Sequence, residues 1–201
     1  CGANMNFDRL RHVAERAEIG ENREALLAVQ IPERPGSFKE FCHLIGKRSI
    51  TEFNYRYSDD NLARVFAGIQ LSKGTDEKNQ FIEKLQAYGY SVVDMTQNEV
   101  AKLHTRYMVG GHPGGNVNNE LLYRFQFPEK PGALLNFLMK MGKKWNISLF
   151  HYRNHGSNFG RILMGFQVDK ADYKAFNAFL VGLNIPHWNE TENDAYQLFL
   201  K

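Results

Sequence analysis

An internal repeat constrains this chain more than any other feature of its sequence. Two eight-residue stretches, "IPERPGSF" beginning at Ile31 and "FPEKPGAL" beginning at Phe127, are near copies of each other. The same spacing relates Pro35 to Pro131, and one inserted residue later "FNYR" matches "FHYR". Identity at turns, apolar positions and polar positions together predicts two similar folding units.

Both repeats show the same order of predicted elements. "ALLAVQI" and "ELLYRFQF" are typical of strands, and after the Pro-Gly turn "SFKEFCHLIGK" and "ALLNFLMKMGK" carry apolar residues at helical spacing. Two further strands, a second amphipathic helix and a short last strand follow in each half. This β-α-β-β-α-β order, written twice, predicts an α+β fold of two tandem ferredoxin-like subdomains, with antiparallel sheets backed by helices.

We divide the chain into four segments. Residues 1–22 are expected to hold the end of a preceding domain and a connecting helix, because the chain begins with Cys1 rather than Met and so resembles part of a longer protein. Residues 23–97 form the first predicted subdomain, residues 98–118 a connecting helix and a Gly-rich linker, and residues 119–201 the second subdomain. We expect the two sheets to lie side by side and to join at their edge strands.

The composition narrows the class of protein. Its 201 residues are 43% hydrophobic and 23% charged, which suits two small globular units. The net charge is +3, but basic and acidic residues are interleaved, which does not favour a nucleic-acid partner. The two cysteines, Cys1 and Cys42, are too few for a disulfide framework, and no stretch approaches the ~20 apolar residues of a membrane span. We therefore expect a cytoplasmic protein without a membrane partner.

Catalytic and metal-binding patterns are not found in the sequence. The seven histidines do not occur at zinc-ligand spacings, and His151 and His155 fall where a strand runs into a turn. "GGHPGG" lacks the Lys-Ser/Thr of a phosphate-binding loop and favours a flexible linker. We expect neither a metal site nor a catalytic centre in this chain.

The two Pro-Gly turns are the best candidates for a binding site. A strand that runs through Pro-Gly into a helix exposes backbone N–H groups at a positive helix end, which suits a carboxylate. Gly36 and Gly132 allow close approach, while Phe38 and Leu134 begin apolar stretches that could line a pocket. The turns therefore indicate a small apolar amino acid as ligand. The alternative is that the glycines only make turns and the Phe and Leu residues only fill the core.

Long strings also resemble a known family. "CGANMNFDRLRHVAERAE" and "NISLFHYRNHG" are similar to the C-terminal part of the biosynthetic threonine dehydratases, and the resemblance covers essentially the whole chain. It implies two ACT-like subdomains that regulate a pyridoxal-phosphate enzyme, a homotetrameric lyase that converts L-threonine to 2-oxobutanoate and ammonia. Isoleucine would be the feedback inhibitor and valine an opposing effector.

The resemblance also assigns residues. It places Cys1 beside the pyridoxal phosphate of the parent enzyme. Because this chain lacks the cofactor lysine, it is expected to be inactive and to have no cofactor of its own. In the first copy the predicted effector-binding residues are Gly36, Ser37, Phe38, Arg48, Glu52, Phe53, Asn54 and Tyr55. In the second copy they are Gly132, Leu134, Leu135, Leu138, Leu149, Phe150, Tyr152 and Arg153. Since Ser-Phe follows the first glycine and Ala-Leu the second, we expect the two sites to differ in ligand preference.

Two other functions share the predicted topology. A tandem RNA-binding protein has the same β-α-β-β-α-β order, with aromatic residues on its sheet, although neither "RVFAGIQL" nor "RILMGFQV" has the required aromatic spacing. A free-standing enzyme on this scaffold would need convergent catalytic side chains, which the sequence does not offer.

Overall fold

The first half of the chain folds in the predicted order. The computed structural model describes residues 23–58, 61–107, 113, 115, 117–128, 130, 132–153 and 159–201. Its first six elements are β1 (Glu24–Pro32), α1 (Ser37–Ile45), β2 (Ile50–Arg56), β3 (Leu62–Gln70), α2 (Gly74–Ala87) and β4 (Ser91–Asp94). A short helix α3 (Glu99–Leu103) and a 3-10 turn (Thr105–Tyr107) follow.

The second half repeats this order. Its elements are β5 (Glu120–Pro128), α4 (Ala133–Met141), β6 (Asn146–Arg153), β7 (Phe159–Gln167), a 3-10 turn (Lys170–Asp172), α5 (Tyr173–Leu183), β8 (His187–Asn189) and α6 (Asp194–Phe199). The α+β class with tandem ferredoxin-like units is therefore confirmed. Helix α6 was not predicted.

All eight strands form one antiparallel sheet, in the order β4-β1-β3-β2-β6-β7-β5-β8. The two units meet where β2 pairs with β6, which confirms the expected side-by-side arrangement. Phe53 lies opposite Tyr152 and Tyr55 opposite Phe150, so the repeat becomes an approximate two-fold relation across this seam. Pairing here covers two strand edges that would otherwise expose unpaired backbone groups.

The core lies between the sheet and the four longer helices. Phe41 of α1, Phe81 of α2, Phe137 of α4 and Phe176 of α5 belong to one buried cluster with the inward side chains of the strands. Each of these rings is at most 1% exposed. Burying one such ring contributes roughly 1.5–3 kcal/mol, so the aromatic stripe of each helix fixes it on the sheet.

The two short helices lie on the opposite face of the sheet. Their sequences, "TQNEVAKL" and "TENDAYQL", are a third repeated motif that our reading of the sequence missed. Asn98 and Asn193 cap the helices by accepting hydrogen bonds from the N–H groups of Ala101 and Ala195. In each copy the preceding threonine hydroxyl accepts a hydrogen bond from a strand N–H, that of Leu26 in one and Leu122 in the other.

Candidate functional site

The glycines of the two Pro-Gly turns have similar backbone conformations. Gly36 has φ 96° and Gly132 has φ 82°, in the left-handed region that other residues rarely occupy. Among the residues that the structure describes, no side chain caps the start of α1 or of α4. The predicted glycine turn before a helix is therefore present twice, and its role in binding an anion stays a prediction.

A cavity of about 110 Å³ lies at the junction of the two subdomains, and Gly132 of the second turn forms part of its wall. The second copy contributes Gly132, Ala133, Leu134, Leu135, Tyr152 and Ile162. The first copy contributes the end of α1 and the loop that follows it, namely Cys42, Ile45, Gly46, Arg48, Ser49 and Ile50. Burial raises the pKa of the Cys42 thiol to about 12, so this side chain lines the cavity as a neutral group. The lining is mostly aliphatic, with Arg48 and Lys130 as its cations.

The first turn is closed by side chains. A Cβ placed on Gly36 would lie 2.8 Å from Cγ of Lys143, whereas one on Gly132 would meet nothing within 4 Å. The Phe38 ring lies 4.8 Å from that of Tyr55 and 5.8 Å from that of Phe53. Because Leu134 stands where the first copy has Phe38, the second turn keeps open space that the first has filled.

Polar contacts strengthen the closure of the first turn. The Tyr55 hydroxyl donates to Glu33, whose other carboxylate oxygen accepts from Nδ2 of Asn146 at 2.8 Å. Burial, and then the Glu33 carboxylate, raises the pKa of Tyr55. The Ser37 hydroxyl is buried and has no hydrogen-bond partner among the described residues. The first turn is thus joined to the second subdomain through Asn146.

In the structure, Arg48 lies beside the second predicted site rather than the first. We grouped it with Gly36, but it lines the cavity beside Gly132, because the α1–β2 loop crosses the junction between the subdomains. Its Nε donates to Glu77 at 2.8 Å and its Nη1 to the Ile45 carbonyl at 3.2 Å. Its Cζ lies 4.9 Å from the centroid of the Phe81 ring.

The alternation of side chains along β2 and β6 divides the predicted strand residues between the two faces of the sheet. Phe53, Tyr55, Phe150 and Tyr152 belong to the core under the helices, as do Leu134, Leu135 and Leu138 of α4. Since neighbouring strand residues point to opposite faces, Glu52, Asn54, Leu149 and Arg153 lie on the other face. Grouping them with the turns was wrong, because the predicted list followed consecutive positions rather than alternate ones.

That other face carries a buried ionic network in the first copy. Arg106 donates to Glu52 and to Glu24, and all three residues are less than 10% exposed. Burial raises the pKa of Glu52 to about 7, against the opposing effect of Arg106. Arg153 lies over the Tyr107 ring, with its Cζ 4.2 Å from the ring centroid. Asn54 is 8% exposed, and within the described part of the chain neither polar atom of its side-chain amide has a hydrogen-bond partner.

The second copy has an equivalent network, in which Ser148 takes the place that Thr51 has beside Glu24 in the first copy. Glu120 accepts hydrogen bonds from Arg56, Ser148 and Tyr196. Arg56 also donates to the Leu200 carbonyl, so a first-copy strand holds the end of the second copy. Gly165 leaves room for this carboxylate, since a Cβ there would lie 2.6 Å from Oε1 of Glu120. The repeat itself pairs Glu24 with Glu120 and Gly68 with Gly165, a signal that could have identified both networks.

The remaining predictions concern a cofactor contact, metal binding, a membrane span and RNA binding. The Cys1 prediction lies outside the described residues. Within the described ranges, no cluster of three or more His, Cys, Asp or Glu side chains could hold a metal ion, and no helix is long and apolar enough to cross a membrane. The aromatic side chains of β2 and β6 are covered by helices, so they do not form the open stacking surface of an RNA-binding sheet.

Two ferredoxin-like units that share one sheet and enclose a small aliphatic cavity at their junction define a tandem ACT-like domain. The family model for the C-terminal regulatory domain of threonine dehydratase matches residues 15–105 and 114–200, and the chain belongs to this family.

Curated relatives agree with this membership. The chain is 52% identical to the biosynthetic L-threonine dehydratase of Escherichia coli K12, over 99% of this chain and 38% of that protein. It is 51% identical to the corresponding protein of Burkholderia multivorans, over 99% of this chain and 39% of the relative. The mitochondrial threonine dehydratase of Saccharomyces cerevisiae is 43% identical, with 100% and 36% covered. The chain thus spans well under half the length of these relatives.

Similarity to solved structures is weak. The aspartate kinase of Synechocystis matches at a TM-score of 0.30 and 11% identity, over 84% of this chain and 43% of that one. The strand order of the chain itself, rather than this similarity, defines its fold.

Proposed function

We propose that this chain is the effector-sensing domain of a pyridoxal-phosphate-dependent threonine dehydratase, which converts L-threonine to 2-oxobutanoate and ammonia. It binds isoleucine as feedback inhibitor and valine as opposing effector, and it thereby regulates its own catalytic domain. The parent enzyme is a cytoplasmic homotetramer in this proposal. Family membership and the relatives above support the enzyme, and the cavity supports the ligand class.

The junction cavity is the observation that carries the proposal. Arg48, Lys130 and the uncapped start of α4 suit the carboxylate of an amino acid. Leu134, Leu135 and the neighbouring isoleucines suit an aliphatic side chain. Each half of an aliphatic amino acid therefore meets a matching part of one small site.

The position of the cavity supports a regulatory role. Its walls come from both subdomains, so a ligand that fills it changes the contact between them. A ligand shifts an equilibrium between two states only by its difference in affinity for them, with typical couplings of about 1–3 kcal/mol. A site at a subdomain junction can supply such a difference.

Calorimetric titration of the chain with isoleucine, valine, leucine and threonine tests this function. We expect the branched-chain ligands to bind and Leu134→Phe to weaken isoleucine binding at least about tenfold, because the larger ring reproduces the filled first turn. Leu198→Phe, at a residue that is 67% exposed on α6, is the control and should leave binding unchanged. No heat of binding at millimolar concentrations, or equal affinity in Leu134→Phe, would contradict the proposal.

A further inference from the structure

Arg48 is held at the edge of the junction cavity by contacts on only part of its guanidinium group. Nε donates a hydrogen bond to Glu77 and Nη1 donates one to the Ile45 carbonyl, while the Phe81 ring lies against the face of the guanidinium. Among the described residues, Nη2 has no hydrogen-bond partner. A fixed guanidinium with an uncommitted nitrogen at a cavity wall is suited to receive one carboxylate oxygen.

Glu77 is itself fixed, and by backbone. Its Oε2 accepts hydrogen bonds from the N–H groups of Ser72 and Lys73, at 2.8 and 3.0 Å, just before α2. Its Oε1 is left to accept from Arg48. The carboxylate thus connects the start of α2 to a side chain that lines the cavity.

These contacts lower the pKa of Glu77. Desolvation opposes the change, but the two N–H groups and the Arg48 guanidinium together outweigh it. Glu77 therefore remains ionised at neutral pH, and its hold on Arg48 does not depend on pH in that range.

We propose that Glu77 is a positioning residue for the effector carboxylate: it orients Arg48 so that the free edge of the guanidinium is presented to the cavity. The inference rests on the proposed function, since it deepens the same site. Without Glu77, Arg48 would have to be ordered when the ligand binds. That ordering weakens binding, whereas a pre-organised side chain avoids it.

The test compares isoleucine with isoleucinamide, which has the same side chain and no carboxylate. Calorimetry on the chain gives the affinity ratio of the two ligands for the wild type, for Glu77→Gln and for Glu83→Gln. Glu83 is an exposed glutamate of the same helix, so its variant makes the same change of charge away from the cavity. Glutamine at position 77 keeps an oxygen that can accept from the N–H groups of Ser72 and Lys73, and circular dichroism checks that the variant is folded.

We expect Glu77→Gln to weaken isoleucine binding about 3- to 10-fold and to leave isoleucinamide binding unchanged, so that the affinity ratio falls. Glu83→Gln should keep the wild-type ratio. An unchanged ratio in Glu77→Gln, or equal loss for both ligands, would overturn the positioning role. If the wild type binds neither ligand at millimolar concentration, the proposed function itself is overturned, and the inference with it.

Discussion

At the scale of single residues, the two copies differ where one side chain replaces another at a shared position. Phe38 fills the first turn, and Leu134 leaves a cavity at the second. Glu52 joins the network of Arg106, whereas the matching position in the second copy is Leu149, within an apolar cluster. Repetition of the backbone therefore does not imply repetition of the chemistry.

The buried carboxylate of Glu52 makes stability depend on pH. Its pKa rises from 4.5 to about 7, chiefly because burial disfavours the charged form. The folded state therefore holds the proton more tightly than the unfolded chain does. The stability linked to this group is complete below pH 4.5 and is lost as the pH rises through 7.

Glu52→Gln should remove this dependence. Between pH 5 and pH 8 we expect the free energy of unfolding of the wild type to fall by about 1–3 kcal/mol more than that of the variant. Urea unfolding at both pH values measures the difference, and subtracting the variant's pH dependence from that of the wild type cancels the other titrating groups. Parallel pH profiles for the two proteins would show that Glu52 does not titrate in this range.

At the scale of elements, periodicity and turn residues predicted most of the fold. The β-α-β-β-α-β order follows from strand-like and helical spacing in "ELLYRFQF" and "ALLNFLMKMGK", and the structure has both elements there. Helix α6 escaped prediction because it has only six residues, too few for a periodic pattern to appear. Its Asn cap and its match to "TQNEVAKL" were the available signals.

The candidate site was predicted less completely than the fold. The turns were found because a Pro-Gly turn before a helix has a local signature. Arg48 was assigned to the wrong turn because its position depends on how the two subdomains pack, which no local pattern records. Glu77 was missed for the same reason, since it lies on a different element from the side chain it holds.

The cap of α6 offers a test at this scale. Asn193→Ala removes the hydrogen bond that the Asn193 side chain accepts from the Ala195 N–H, at 2.9 Å, and should lower the free energy of unfolding by about 1 kcal/mol. Glu192→Ala, an exposed neighbour in the same loop, should stay within about 0.5 kcal/mol of the wild type. Denaturant unfolding measures both. Equal effects of the two variants would mean that the cap does not stabilise this helix.

At the scale of the whole molecule, the seam between β2 and β6 organises the function. Side chains on one face of these strands join the core beneath the helices, and those on the other face enter the two ionic networks. The cavity lies on the helix side of the junction, where both subdomains supply its walls. A ligand there is placed to change how the two halves of the sheet are held together.

Titration of the methyl-labelled chain with isoleucine, followed by nuclear magnetic resonance, tests this account most directly. The cavity predicts shifts in the methyl signals of Leu134, Leu135 and Ile45, which line it. Leu26 and Leu122 belong to the separate clusters on the opposite face, and their signals should not move. Shifts confined to the opposite face, or none at saturating isoleucine, would contradict the junction cavity as the effector site.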